Sequence, residues 1–245
     1  MARIAIIGGG GMGEALLAGL LRAGRQVKDL VVAERLADRA DYLSNKYSVR
    51  MASVGAAVEN ADFVIVAVKP SDAESVVAVI AELAAQADSD TVEQVLISVC
   101  AGITTAFYEA RLPAGSPVIR VMPNAPALVG AGVSALAKGR FATDEHLAQA
   151  STLFESVGAV VTVPESQLDA VTAVSGSGPA YFYLFVEALV DAAVANGLQR
   201  AIATDLVAQT MAGSAAMLLE RIDDERTAGT DTGLDTTPAR LRAMV

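Results

Sequence analysis

The chain has 245 residues, enough for one or two domains with a large buried core. Apolar residues make up 53% and charged residues 19%, and the formal net charge at pH 7 is −10, so we expect neither a nucleic acid nor an anionic membrane as partner. The lone cysteine, Cys100, excludes an internal disulfide and lies in an apolar run, as a small buried side chain would. With no signal-peptide pattern and no metal-ligand cluster in the sequence, we expect a cytoplasmic protein without a metal site.

A run of glycines separates the first predicted strand, residues 4–7, from the first predicted helix. Gly8, Gly10 and Gly13 match the G-x-G-x-x-G spacing. The first glycine allows a tight turn, the second lets the backbone approach a pyrophosphate, and the third lets the helix pack closely on the strand. The free N–H groups at the start of the helix favour phosphate. This context predicts a dinucleotide site rather than a plain glycine-rich turn. The cofactor-binding residues predicted here are Gly8, Gly10, Gly11, Met12 and Gly13.

The second predicted strand, residues 29–33, ends at Glu34 and Arg35, about 20 residues after the last glycine of the motif. An acid at this place can bind the ribose 2′-OH of NAD, whereas an arginine can pair with the 2′-phosphate of NADP. Because Arg35 has the reach to bind a phosphate, we favour NADPH and keep NADH as possible. A solvated charge pair at the start of the next helix is the alternative.

Further predicted strands bring polar residues to the carboxyl edge of the sheet, where ligands of open α/β sheets bind. The strand at residues 62–68 leads into Lys69 and Pro70, and a lysine there can attract an anionic cofactor. The strand at residues 117–121 delivers Asn124, which lies between two prolines. Its amide can donate and accept hydrogen bonds, although a role in holding the turn is equally compatible with the pattern. The remaining predicted strands are residues 47–51, 94–100, 132–137 and 159–163.

From residue 164 onward the strand pattern disappears, and helices are predicted at residues 166–174, 180–195 and 201–219. Small residues, Ser175 to Gly178, separate the first two of these helices, and the N–H groups that follow could hold a carboxylate, unless the stretch is only a tight interhelical turn. We expect the segment at residues 180–195 to be a buried helix rather than a membrane span, and residues 221–238 to be a mobile linker.

The predicted fold is therefore α/β, with a doubly wound Rossmann-type domain over residues 1–163 and a smaller all-helical domain over residues 164–245. A helical domain with this apolar composition does not easily bury all of its apolar surface within one chain. We expect it to form the interface of a homodimer or a higher homo-oligomer.

Five stretches taken in order resemble the Δ1-pyrroline-5-carboxylate reductase family: GGGGMGEALLAGL, AVKP, SVCAGIT, RVMPNAPALVGAG and VTAVSGSGPAYFY. The resemblance implies an N-terminal Rossmann domain and a helical C-terminal dimerisation domain. It also implies that NAD(P)H is surrounded by the glycine turn together with Arg35, Ala67, Val68, Lys69, Pro70, Val99, Cys100, Ala101 and Asn124.

The activity that the resemblance implies is hydride transfer from the nicotinamide C4 to the C=N carbon of pyrroline-5-carboxylate, giving L-proline. The substrate carboxylate needs N–H donors, which we assign to Ser175, Gly176, Ser177 and Gly178. No catalytic residue is assigned, since a protonated imine needs a proton source but no strong base. In the family a Ser-Pro-Gly-Gly-Thr-Thr loop and a further helix follow the segment that resembles residues 237–245. The loop helps to bind the substrate and is absent from the sequence.

Two other functions are compatible with the cofactor site. A β-hydroxyacid or prephenate-type dehydrogenase commonly uses a lysine or histidine of its helical domain, but residues 164–245 contain neither. A regulatory or sensing protein that binds NAD(P) without turnover is favoured only by the absence of the substrate loop.

Overall fold

The computed structural model describes residues 2–86, 93–227 and 237–245. Eight strands form one sheet in the order β3-β2-β1-β4-β5-β6-β7-β8. The strands are β1 (Ile4–Ile7), β2 (Leu30–Ala33), β3 (Arg50–Met51), β4 (Phe63–Val66), β5 (Val95–Ser98), β6 (Val118–Met122), β7 (Gly132–Lys138) and β8 (Gly158–Thr162). The helices are α1 (Gly11–Arg22), α2 (Ala37–Tyr47), α3 (Val54–Val58), α4 (Ala73–Gln86), α5 (Thr105–Glu109), α6 (Asp144–Phe154), α7 (Leu168–Val171), α8 (Gly178–Ala195), α9 (Arg200–Thr227) and α10 (Thr237–Met244).

The first six strands are parallel, and their order is that of a doubly wound dinucleotide-binding sheet. Strand β7 runs antiparallel to β6, and β8 is parallel to β7. Within β1, Ile4 and Ile6 belong to one core cluster, while Ala5 and Ile7 belong to another. The strand is thus apolar on both faces because helices cover both, which confirms the predicted Rossmann-type α/β class.

Local side chains cap the starts of helices α3, α5 and α6. The hydroxyl oxygens of Ser53 and Thr104 accept backbone N–H bonds at the starts of α3 and α5. At α6, the Thr143 hydroxyl oxygen accepts the N–H of His146, whose Nδ1 accepts the N–H of Thr143. The only histidine of the chain therefore completes a capping box, which is a structural role.

Helix α1 is joined to α2 through the Glu14 carboxylate. One of its oxygens accepts hydrogen bonds from the Tyr47 hydroxyl at 2.8 Å, the Lys46 ammonium at 2.9 Å and the Tyr42 hydroxyl at 3.1 Å. The other oxygen is bound by the Arg39 guanidinium. Burial alone would raise the pKa of Glu14, but the bonds from Lys46, Tyr47 and Arg39 outweigh it and lower the pKa from 4.5 to about 2.

We expect Glu14→Gln to lower the free energy of unfolding by about 1–3 kcal/mol at neutral pH, because charge-assisted hydrogen bonds are lost. The folded-state pKa lies below the ordinary value, so this stabilisation is complete above about pH 4.5 and is lost as the pH falls towards 2. Urea unfolding of the wild type and the variant along a pH series measures the difference. The control is Glu82→Gln, since Glu82 is exposed. A difference that did not shrink in acid would contradict the role of the Glu14 charge.

The structure corrects the linker that was predicted at residues 221–238. Residues 221–227 form the last two turns of α9, and ion pairs of Arg221 with Asp224 and of Arg226 with Asp223 lie at the helical i,i+3 spacing. Local charge pairing therefore supports helix where composition alone indicated a loop. Residues 228–236 of the predicted linker lie outside the described part of the chain.

Helix α8 is exposed in the single chain, contrary to the expectation of a buried helix. The side chains of residues 181–185, which are Tyr, Phe, Tyr, Leu and Phe, are each 58–67% exposed. An apolar patch of this size is rare on a protein that has no partner. By length and composition, Glu165–Ala195 and Arg200–Thr227 could also cross a membrane, although one or two such helices are weak evidence for a membrane protein.

By its contacts the chain divides into two compact units, Met1–Pro179 and Ala180–Val245. The first unit contains the whole sheet and also residues 164–179, which the sequence analysis assigned to the helical domain. The domain boundary between residues 163 and 164 stays a prediction.

Candidate active site

The glycine turn after β1 shows two kinds of glycine. Gly8 has φ +105°, and a Cβ there would lie 2.6 Å from the carbonyl oxygen of Ala67. A Cβ at Gly13 would overlap the carbonyl oxygen of Gly8. By contrast, a Cβ at Gly10 or Gly11 would meet no protein atom within 4 Å. Gly8 and Gly13 are thus required by the fold itself, whereas the space at Gly10 and Gly11 is free for a ligand beside the start of α1.

The carboxylate of Glu34 holds this turn in place. Its oxygens accept the backbone N–H of Gly9 at 2.8 Å and that of Leu36 at 2.9 Å. The neighbouring Arg35 side chain is 82% exposed and lies 3.9 Å from the Asp72 carboxylate. The two charged residues at the end of β2 therefore differ: Glu34 is fixed to the backbone and Arg35 is free to reorient.

The turns after β4 and β5 lie at the same edge of the sheet. Lys69 and Pro70 are exposed, and Pro70 begins a short 3-10 turn that ends at Asp72. The thiol of Cys100 is only 2% exposed and donates to the carbonyl oxygens of Val66 and Val68. Burial raises the pKa of the Cys100 thiol, so the side chain stays neutral and is turned into the core.

Asn124 connects two of the motifs that were singled out in the sequence. Its side-chain amide donates to the carbonyl oxygen of Ser175 at 3.2 Å, and its oxygen accepts the N–H of Val133 at 2.9 Å. The turn-holding role is therefore present. The same contacts bring the MPNAP loop after β6 against the SGSG stretch, both within the unit Met1–Pro179.

The SGSG stretch is not the tight interhelical turn that the sequence left open. Residues Thr172–Gly176 form a π-helical turn between α7 and α8, closed by the N–H of Ser177 donating to the Thr172 carbonyl at 2.8 Å. The Ser175 hydroxyl donates to the Val171 carbonyl at 3.0 Å. Such wide turns interrupt the regular backbone ladder and occur frequently at functional sites.

A buried ion pair near the site was not predicted. Arg120, in the middle of β6, is 5% exposed and lies 3.4 Å from both the Glu165 and the Asp169 carboxylates. Glu165 also accepts the N–H and the hydroxyl of Thr105 at 2.7 and 2.6 Å. This network ties the start of the helical segment to the sheet. The signal in the sequence was an arginine inside an otherwise apolar strand.

In comparisons with known proteins, two family models match two separate parts of this chain. Residues 165–245 match the family model described as pyrroline-5-carboxylate reductase dimerisation. Residues 3–102 match the model described as NADP oxidoreductase, coenzyme F420-dependent. The pyrroline-5-carboxylate reductase of Mycobacterium tuberculosis is 66% identical over 249 aligned residues, which cover all of this chain and 84% of that protein. The chain belongs to the pyrroline-5-carboxylate reductase family.

Other members of the reductase family agree with this assignment. The pyrroline-5-carboxylate reductase of Mycobacterium leprae is 64% identical, again over all of this chain and 84% of that protein. The structure of the Coxiella burnetii reductase superposes with a TM-score of 0.84 at 32% identity, covering 99% of this chain and 90% of that one. The Plasmodium falciparum pyrroline carboxylate reductase with NADP bound superposes with a TM-score of 0.77 at 28% identity, covering 99% and 93%. The family predicted from the five motifs is confirmed.

Proposed function

We propose that this chain reduces the C=N bond of Δ1-pyrroline-5-carboxylate with NADPH, giving L-proline in the last step of proline biosynthesis. Membership of the reductase family supports the reaction. The observation that supports its location is the contact of Asn124 with the Ser175 carbonyl. It joins the loop after β6, on the cofactor edge, to the π-helical turn where we expect the substrate carboxylate.

The glycine turn fits the pyrophosphate of a dinucleotide, because the space at Gly10 and Gly11 is free and the first N–H groups of α1 have no intrahelical acceptor. When bound, the cofactor supplies the hydride. We assign the surrounding contacts to Glu34, Arg35, Asn124 and the turns at residues 67–70 and 99–101. Since the thiol of Cys100 is buried, this residue would serve through its backbone.

The protein's own part is binding and orientation, which can supply much of the rate. In our proposal, the stretch from Ser175 to Gly178 holds the substrate carboxylate through backbone N–H groups other than that of Ser177, which donates to the Thr172 carbonyl. The ring then lies with its C=N carbon facing the nicotinamide. The ring nitrogen takes up a proton, which makes the imine a better hydride acceptor, and no side chain is needed as a strong base.

We also propose that the chain works as a homodimer or a higher homo-oligomer, and that its subunits meet through the exposed apolar side chains of α8 at residues 181–185. The match of residues 165–245 to the dimerisation model supports this. The free, buried thiol of Cys100 and the role in biosynthesis are consistent with a cytoplasmic enzyme.

The function is tested by mixing the purified full-length protein with NADPH and pyrroline-5-carboxylate, and measuring both NADPH oxidation and proline. Saturable oxidation with equal formation of proline is expected. Binding of NADPH without turnover would overturn the proposal in favour of a protein that senses the cofactor. Oxidation of prephenate or of a β-hydroxyacid with NADP⁺ would favour a dehydrogenase.

We expect Arg35→Ala to weaken NADPH binding by about 10- to 100-fold, since a charge-assisted pair with the 2′-phosphate is lost. NADH binding should change less than about threefold, because NADH lacks this phosphate. The dissociation constants of both cofactors from fluorescence titration give the comparison. Equal losses for the two would contradict the assigned role of Arg35.

A further inference from the structure

A salt bridge joins the two strands that flank the glycine turn. Arg35 follows β2 and Asp72 follows β4, and the strand between them is β1, which leads into Gly8. Neighbouring strands are about 4.8 Å apart, so β2 and β4 are separated by roughly 10 Å. The contact of 3.9 Å between the Arg35 Nη2 and the Asp72 Oδ2 therefore requires the long arginine side chain to reach across the end of β1.

The other carboxylate beside Arg35 is already engaged. Both oxygens of Glu34 accept backbone N–H groups, those of Gly9 and Leu36. Among the described residues, Asp72 is the ion-pair partner that the structure gives to Arg35. Asp72 itself is fixed at the end of a 3-10 turn, where its N–H donates to the Lys69 carbonyl at 2.9 Å and its own carbonyl accepts the Ser75 hydroxyl at 2.9 Å. The backbone of Asp72 is thus fixed at this turn, while the Arg35 side chain is 82% exposed.

We propose that Asp72 is a specificity-determining residue that lowers the preference for NADPH over NADH by holding the Arg35 guanidinium away from the 2′-phosphate. The inference rests on the proposed function, in which Arg35 binds this phosphate. One guanidinium then has two competing anions, the protein carboxylate and the cofactor phosphate. The pair with Asp72 must open whenever NADPH binds, but NADH binding does not require Arg35 to change partner.

The expected change in NADPH affinity is small because the Arg35–Asp72 pair is exposed. Exposed ion pairs are weak, because water and salt screen them. Opening such a pair lowers the affinity for NADPH by about two- to fivefold. Asp72 acts through Arg35, so it is a positioning residue, and its effect must vanish when Arg35 is absent.

The test is a double-mutant cycle on the full-length protein, with dissociation constants for NADPH and NADH measured by fluorescence titration at one fixed ionic strength. Asp72→Asn should tighten NADPH binding by about two- to fivefold and change NADH binding by less than about 1.5-fold. In the Arg35→Ala background, Asp72→Asn should change neither cofactor by more than about 1.5-fold. Asp72→Ala is a second variant, expected to behave like Asp72→Asn should that one fold poorly.

The matched control is Glu74→Gln, which removes the same charge two residues away, where the carboxylate is 76% exposed and pairs with Arg111. It should leave both affinities unchanged. Three results would overturn the proposal: unchanged NADPH binding in Asp72→Asn, equal gains for both cofactors, or a gain that persists without Arg35. Because the titrations need no substrate, a chain that bound both cofactors without producing proline would overturn the proposed function and still decide the role of Asp72.

Discussion

Replacing Gly13 by alanine is expected to destabilise the protein by about 3 kcal/mol or more, since the new methyl group would overlap the backbone oxygen of Gly8. The Gly8 carbonyl and the Cα that would carry the methyl group both belong to backbone between β1 and α1, so no flexible side chain can move away. For a chain of this length, the melting temperature should fall by about 6–12 °C. Thermal unfolding followed by circular dichroism measures the loss.

Gly10→Ala is the matched variant in the same turn. Gly10 has φ −64°, which alanine adopts without strain, and its added Cβ meets no protein atom within 4 Å. Its stability should stay within about 1 kcal/mol of the wild type. We expect NADPH binding to weaken by at least about tenfold, because the methyl group takes space that the pyrophosphate needs. If Gly10→Ala bound NADPH like the wild type, the cofactor would not lie on this turn.

The second large effect is expected at Glu165, whose carboxylate faces the buried guanidinium of Arg120 and the N–H and hydroxyl of Thr105. Glu165→Gln keeps the shape but removes the charge and turns an N–H donor towards other donors. Removing the Glu165 charge leaves the buried guanidinium paired only with the exposed Asp169 carboxylate, so we expect a loss of about 2–4 kcal/mol. Urea unfolding gives the value directly.

Asp169→Asn provides the comparison on the same guanidinium. The Asp169 side chain is 89% exposed, and an exposed pair contributes about 0–1 kcal/mol. A ratio of several-fold between the two losses is therefore expected. Equal losses would show that the lower exposure of Glu165 and its bonds to Thr105 do not decide the energetics of the network.

Much of the sheet could be predicted from the sequence, because buried parallel strands are continuous apolar runs and because Gly8 and Gly13 of the first turn have a local steric reason. The residues brought to the carboxyl edge, such as Lys69 and Asn124, followed from the ends of those strands. The hydrogen-bond partners of such residues could not be predicted in this way. That Asn124 binds Ser175, or that Glu34 binds Gly9, depends on distances across the fold that no local pattern contains.

The helical segment shows the same limit. Arg120 and Glu165 lie 45 positions apart, so neither residue marks the other as its partner. The π-helical turn at Thr172–Gly176 consists of small and β-branched residues that also suit an ordinary turn. At residues 221–227, the acidic composition suggested a linker, whereas charge pairs one helical turn apart support α9.

Following the transferred hydrogen tests the proposed reaction most directly. The full-length protein is mixed with pyrroline-5-carboxylate and NADPH that carries deuterium at both C4 positions, and the proline formed is examined by mass spectrometry and NMR. Our proposal predicts one deuterium per proline, located on the former imine carbon, and none on the nitrogen after exchange into water. Proline without deuterium, or oxidation of NADPH without proline, would contradict direct hydride transfer in this site.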